Sequence, residues 1–314
     1  MADNSSLVGV ESLRQQISDK VIIVQILVIL FLSINSILIL TFFKKECFYT
    51  TTRYILFAVT LLSDSFLLFI SNIMLILNYF QFTMPVWLCM LMSVGAHLYI
   101  TVTPVTLTAM TLERYVAICM PLRHGELCSR SNTVNCVLLI HGLSSVPFIV
   151  VFSMFFATAS HSFYTHDRVC SIQIFILYRW QNDIRAGVSQ FYFVLMVITI
   201  IFCYVEIMKV AKAASGEKKK STWKGLRTVI LHGFQLLLCL LQLWCPFIET
   251  AALQISFKLF IDVRYINYLT FSLAPRCLSP LIYGLRDEQF VHVLKSNAFF
   301  GLYRVRPGKR GLPA

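Results

Sequence analysis

Charge is scarce in this chain. Of its 314 residues 13% are Asp, Glu, Lys or Arg, where an ordinary soluble domain carries about 25%, and 57% are apolar. Mean hydropathy is +0.73. A water-soluble fold of this composition could not cover its own surface, which leaves an integral membrane protein. Strict apolar–polar alternation is also missing, and the apolar runs are about 20 residues long, so helices and not a β-barrel cross the lipid. Internal repeats, a long soluble domain and low-complexity tracts are absent, and so is a cleavable leader before the first apolar run. No H-E-x-x-H or G-x-S-x-G stretch occurs, so no enzyme, metal or cofactor is expected. Acidic residues are the scarcer sign: 15 against 27 basic ones, a net +12. In a soluble chain that excess would point to nucleic acid; here it records topology, and no nucleic-acid partner is expected.

Seven spans can be counted. Val21 to Phe43 is uncharged over 23 residues, about 35 Å as a helix, enough for a core of about 30 Å. Tyr54 to Leu112 holds one formal charge, Asp64, and is long enough for two helices with a turn around Phe80 to Pro85. Further spans fit Val134 to Phe156, Ala186 to Met208, Thr228 to Ala251 and Tyr265 to Leu285. This predicts an all-α membrane protein, a seven-helix bundle over 21–286. It leaves an extracellular N-terminus at 1–20, a short amphipathic membrane-surface helix at 287–300 and a disordered cytosolic tail at 301–314. In the eighth helix Phe290, Val293, Leu294 and Ala298 share a face that suits the inner leaflet.

Counting Lys and Arg between spans gives nineteen on one side, seven on the other, and Arg276 within the last span. The richer side is cytosolic, so the N-terminus is outside and the C-terminus inside. The sequon at Asn4 then falls outside, where glycosylation occurs. Only Cys89 and Cys170, of ten cysteines, face the oxidising side, and they are expected to pair; the alternative is two free outer thiols. The basic stretch Lys209 to Arg227 extends spans five and six, and attracts anionic membrane lipid.

Charges inside spans need partners. Asp64 and Arg276 fall at similar depth, and a direct or water-bridged ion pair would offset both desolvation costs. The alternatives are Asp64 binding sodium or a proton, or a polar cluster that only fixes helix register. Glu249 near the outer end of span six and His97 in the outer third of span three can line a water-filled cup; snorkelling and packing are the plainer readings. Pro246 removes a backbone hydrogen bond and should kink span six, with Trp244 half a turn below as a lever.

The end of span three reads Met110-Thr-Leu-Glu113-Arg114-Tyr115-Val-Ala-Ile-Cys119-Met-Pro121-Leu-Arg-His124. It resembles the M-A-Y-D-R-Y-V-A-I-C-x-P-L-x-Y run of odorant receptors, a family of rhodopsin-like G-protein-coupled receptors, with Glu113 for Asp and His124 for Tyr. Asn35, Leu61-Leu-Ser-Asp64, Trp87 with Cys89, Lys224 to His232, Trp244-Cys-Pro246 and Ser279-Pro280-Leu-Ile-Tyr283 resemble further family motifs, in order along the chain. Span four lacks the usual tryptophan, span five has no proline, and Cys170 stands alone in its loop; these departures and Arg276 resemble the fish-type branch.

The resemblance implies a small-molecule odorant as ligand and a stimulatory, olfactory-type heterotrimeric G protein as partner, at the plasma membrane of olfactory cilia. It implies an activation switch built from Asp64, Glu113, Arg114, Tyr204, Trp244, Pro246, Arg276, Ser279, Pro280 and Tyr283. Resemblance and depth together map a ligand cup onto His97, Ile100, Thr101, Val188, Tyr192, Phe247, Ile248, Glu249, Ala251, Leu269 and Ser272. A chemoreceptor of the same class outside olfactory tissue is the nearer rival, a transporter the more distant one. Transporters show matched repeats that this chain lacks.

Overall fold

The structure is a computed structural model that describes residues 2–44, 46–164, 166–214 and 216–279. Pro280, Tyr283, the eighth helix and the tail lie outside the described residues, and so does the side chain of Asn4.

The first span, α1 (Ala2–Phe42), is helical from far upstream of the apolar run. Within it Gln15 donates to Asp19 four residues on at 3.1 Å, and Lys20 pairs with Asp262 and lies 5.5 Å from the Tyr265 ring. A short α2 (Glu46–Thr50) leads into the second span, α3 (Thr52–Tyr79). The expected turn follows, with Gln81 at φ 52° before strand β1 (Thr83–Pro85). The third span is α4 (Val86–Cys119). Proline at its first turn starts α5 (Pro121–Leu127), and the Ser129 hydroxyl caps the fourth span, α6 (Arg130–Thr158).

Between α6 and the fifth span, α7 (Arg179–Ala213), strand β2 (Asp167–Val169) pairs antiparallel with β1, matching Met84 to Arg168. That register carries Cys170 to Cys89, and the two form a disulfide with Cα atoms 5.4 Å apart. Cys89, Cys170, Phe155 and Phe175 are buried together beneath the loop.

The sixth span is broken. Its inner part is α8 (Gly216–Leu241), a 3₁₀ turn covers Gln242–Trp244, and α9 (Cys245–Ile255) departs at 43°. The kink expected at Pro246 therefore sits in the turn just before it, where proline at a first helical turn costs no hydrogen bond. The seventh span consists of α10 (Phe257–Asn267), a π-helical stretch (Tyr268–Leu273) and α11 (Ala274–Ser279). Among the described residues, five helices are long and apolar enough to cross a bilayer singly, and the bent pair makes a sixth if it is one span.

The bundle packs α3 on α1 and α4, and α4 on α6, α7 and α8. One core cluster runs through Phe57, Leu61, Val102, Leu107, Met110, Met196 and Leu236. Helices α3 and α4 approach closely at Gly95, where an added Cβ would come within 2.9 Å of Phe66 Cε1.

Candidate ligand cup and activation core

The deepest polar group is Asp64, fully buried in α3. One carboxylate oxygen accepts from the Thr103 hydroxyl of α4, the other from the Ser279 hydroxyl of α11, both at 2.9 Å. Arg276 Nε lies 3.9 Å from Asp64. Arg276 also donates to Gln242 Oε1 at 3.5 Å, and Gln242 donates in turn to Ser272 Oγ at 2.8 Å. Gln235 of α8 donates to Ser279 Oγ at 2.5 Å and to the Pro275 carbonyl at 2.9 Å. Four spans are thus tied through one acid and one base, each too costly to bury alone. Asn35 is fully buried in α1, and its amide has no hydrogen-bond partner among the described residues.

At the far end of α4, Glu113 holds two bases. Arg114 Nε is 3.7 Å from one carboxylate oxygen, and His124 Nε2 is 3.4 Å from the other. Helix α4 ends at Cys119, the backbone leaves the helical region at Met120, and the first turn of α5 brings His124 to Glu113. The Tyr115 ring meets Phe202 of α7 at 5.4 Å, and Ile207 packs on Leu226 between α7 and α8. Tyr204 stands at an exposed position of α7.

The residues assigned to the cup do not all share one face. His97, Ile100 and Thr101 lie together on α4, partly buried, with the His97 ring edge-on to Phe152 of α6 at 5.8 Å. Val188 and Tyr192 lie on the inward stripe of α7, and the Tyr192 hydroxyl donates to the Leu143 carbonyl of α6 at 2.7 Å. On α9, Cys245, Glu249 and Ala252 form the face toward α10, where Asn267 donates to Glu249 at 3.4 Å. Trp244, Phe247, Ile248 and Ala251 share the exposed face, and Trp244 is 45% exposed. It is therefore not a buried lever in this state. Leu269 joins Val24, Val28, Leu68 and Leu273 between α1, α3 and the seventh span, and Ser272 is taken by Gln242. Both residues lie in the π-helical stretch, whose side-chain register differs from the 3.6 residues per turn of an α-helix.

Sequence reasoning passed over Thr103, Gln235 and Gln242. The glutamines carried a signal: two amides seven residues apart, hence on one face, in an otherwise apolar run. Thr103 carried none among the many threonines of α4.

Residues 34–283 match the family described as 7 transmembrane receptor (rhodopsin family). The chain belongs to that family. The receptor is 43% identical over 300 residues to Odorant receptor 131-2 of Danio rerio, an alignment covering 96% of this chain and 92% of that protein. It is 26% identical over 202 residues to Olfactory receptor 51V1 of Homo sapiens, covering 58% of this chain and 57% of that one. These matches make it an odorant-receptor homologue of the fish type, in a class of multi-pass membrane receptors that are not enzymes.

Proposed function

We propose that this receptor binds a small-molecule odorant between the outer halves of its helices and activates a stimulatory, olfactory-type heterotrimeric G protein. In this reading the N-terminus is extracellular and the C-terminus cytosolic, in the plasma membrane of olfactory cilia. The basic end of α7 and start of α8 lie against anionic lipid. The observation that carries coupling is Arg114 held by Glu113 at the end of α4. Freed from that acid, its guanidinium offers a fork of donors to the partner.

An odorant raises signalling to the extent that it binds the active packing more tightly than the resting one. The broken sixth span is the hinge of this reading: α8 is tied to the seventh span through Gln235, and α9 leaves it at 43° and meets the seventh span through Glu249 and Asn267. The test is cAMP in cells carrying the receptor and an olfactory stimulatory G protein, against a broad odorant panel. A response lost in Arg114→Ala at equal surface expression supports the reading. A response that persists in Arg114→Ala refutes the assigned switch, and uptake of a panel compound would make the protein a transporter.

A further inference from the structure

The outer parts of the sixth and seventh spans are set off from the bundle by two helix irregularities. The sixth span breaks at the 3₁₀ turn Gln242–Trp244, and the seventh changes to π-helix over Tyr268–Leu273. Gln242 of the first donates to Ser272 of the second at 2.8 Å, so the two lie at one depth. Helices bend at such places, where the regular hydrogen-bond ladder is interrupted. Inward of them the packing is firm: α11 buries Pro275, Arg276 and Ser279 and packs on α3 and α8. Outward of them it is thin. Of eleven residues in each helix, α9 buries Cys245 and Ala252, and α10 buries Asn267. Segments with so little burial are the ones that open at low cost.

The two outer helices hold chiefly to each other. Ser256 alone separates them, and its hydroxyl caps α10 by accepting from the Leu259 N–H at 3.1 Å. Asn267 of α10 donates to Glu249 of α9 at 3.4 Å, and the charge of Arg264 acts on the same carboxylate. Among the described residues one ion pair ties this hairpin to the rest of the bundle, Asp262 of α10 with Lys20 of α1. Their side chains are 35% and 18% exposed, so water and salt reach the pair. The hinge also touches the activation core, because Gln242 accepts from Arg276, the partner of Asp64.

We propose that α9 and α10 form a hinged lid at the outer mouth of the bundle, turning about Gln242–Trp244 and Tyr268–Leu273, and that the Lys20–Asp262 ion pair is its latch. The lid admits small water-borne molecules to the cup beneath it. That these include an odorant rests on the odorant-receptor reading above; the hinge and the latch do not. Cys245 stands at the foot of the lid, 7% exposed while the latch is closed, and it becomes accessible from outside when the hairpin swings away.

The test exposes intact cells to a charged, membrane-impermeant methanethiosulfonate and follows the label on Cys245 by mass spectrometry of the purified receptor. Wild type is compared with Lys20→Gln, with Asp262→Asn and with the swapped pair Lys20→Asp plus Asp262→Lys, all at proven surface expression. Each single change should speed labelling about 3- to 5-fold, the scale of a partly exposed ion pair, and the swap should restore the slow rate. Raising the outside salt should speed labelling in wild type and leave Asp262→Asn unchanged. The wild-type salt series stands even where a variant stays inside the cell. Equal rates in wild type and Asp262→Asn, a swapped pair as fast as the singles, or a wild-type rate indifferent to salt would overturn the latch. No label on Cys245 in any of them would overturn the lid. No arm needs an odorant or a G protein, so failure here leaves the receptor reading intact.

Discussion

Removing Asp64 should hurt more than removing Arg276, and removing both should cost less than the two single changes added together. The carboxylate has two hydroxyl donors at 2.9 Å besides its ion pair, so it keeps partners when Arg276 is gone. Among the described residues the guanidinium has, besides its ion pair with Asp64, one hydrogen bond, to Gln242 at 3.5 Å, and its Nε has no hydrogen-bond partner. Both side chains are buried, at 0% and 4% exposure. Asp64→Asn strands a buried cation and should cost about 3–5 kcal/mol. Arg276→Met leaves a hydrogen-bonded carboxylate and should cost about 1–3 kcal/mol. The double variant removes both charges, so its cost should fall short of the summed singles by at least about 2 kcal/mol. Thermal unfolding of purified receptor in detergent reads the order, at about 2–4 °C per kcal/mol for a domain of this class of size. If the two costs simply add, or if Arg276→Met is the worse single change, the buried pair is not what holds these spans together.

Gly95→Ala should be tolerated, because the far edge of the Phe66 ring can swing, whereas Gly95→Leu should lose surface expression and regain part of it with Phe66→Ala. Gln181→Ala removes the acceptor for the Leu177 and Tyr178 N–H groups as well as two bonds to α6, and should cost about 2–4 kcal/mol, seen as faster proteolysis of the 159–178 loop. Glu113→Gln releases both Arg114 and His124 and should raise basal cAMP several-fold at equal expression. Burial, reinforced by Glu113 and Cys136, pushes the Cys128 thiol above its ordinary value. The reactive thiolate is then scarce at neutral pH, so maleimide labelling of Cys128 should lag a free thiol at pH 7 and catch up as pH rises.

Apolar runs and charge asymmetry carry the bundle in plain view, because a span must be long, apolar and bounded. Asp64 and Arg276 are legible for the same reason: a charge in lipid stands out, and only another charge offsets it. Helix faces are harder to read. Leu269 and Ser272 fall in the cup by resemblance and depth, and nothing in Tyr-Leu-Thr-Phe-Ser-Leu announces a π-helical stretch. The break at Gln242–Trp244 is signalled by Pro246, but its position three residues earlier is set by how a proline enters a helix.

The ties to Asp64 also set an order of assembly. Ser279, which shares the carboxylate, is 215 residues further along the chain, and Arg276 is in the same last span. During synthesis the second span must therefore wait in lipid until the seventh arrives. In that interval Thr103 is the only one of its three partners already made. The disulfide closes earlier, since Cys170 emerges before the fifth span is made. A chain truncated short of residue 276 would thus hold a locked outer loop above an unneutralised acid, a mark by which an incomplete receptor differs from a finished one.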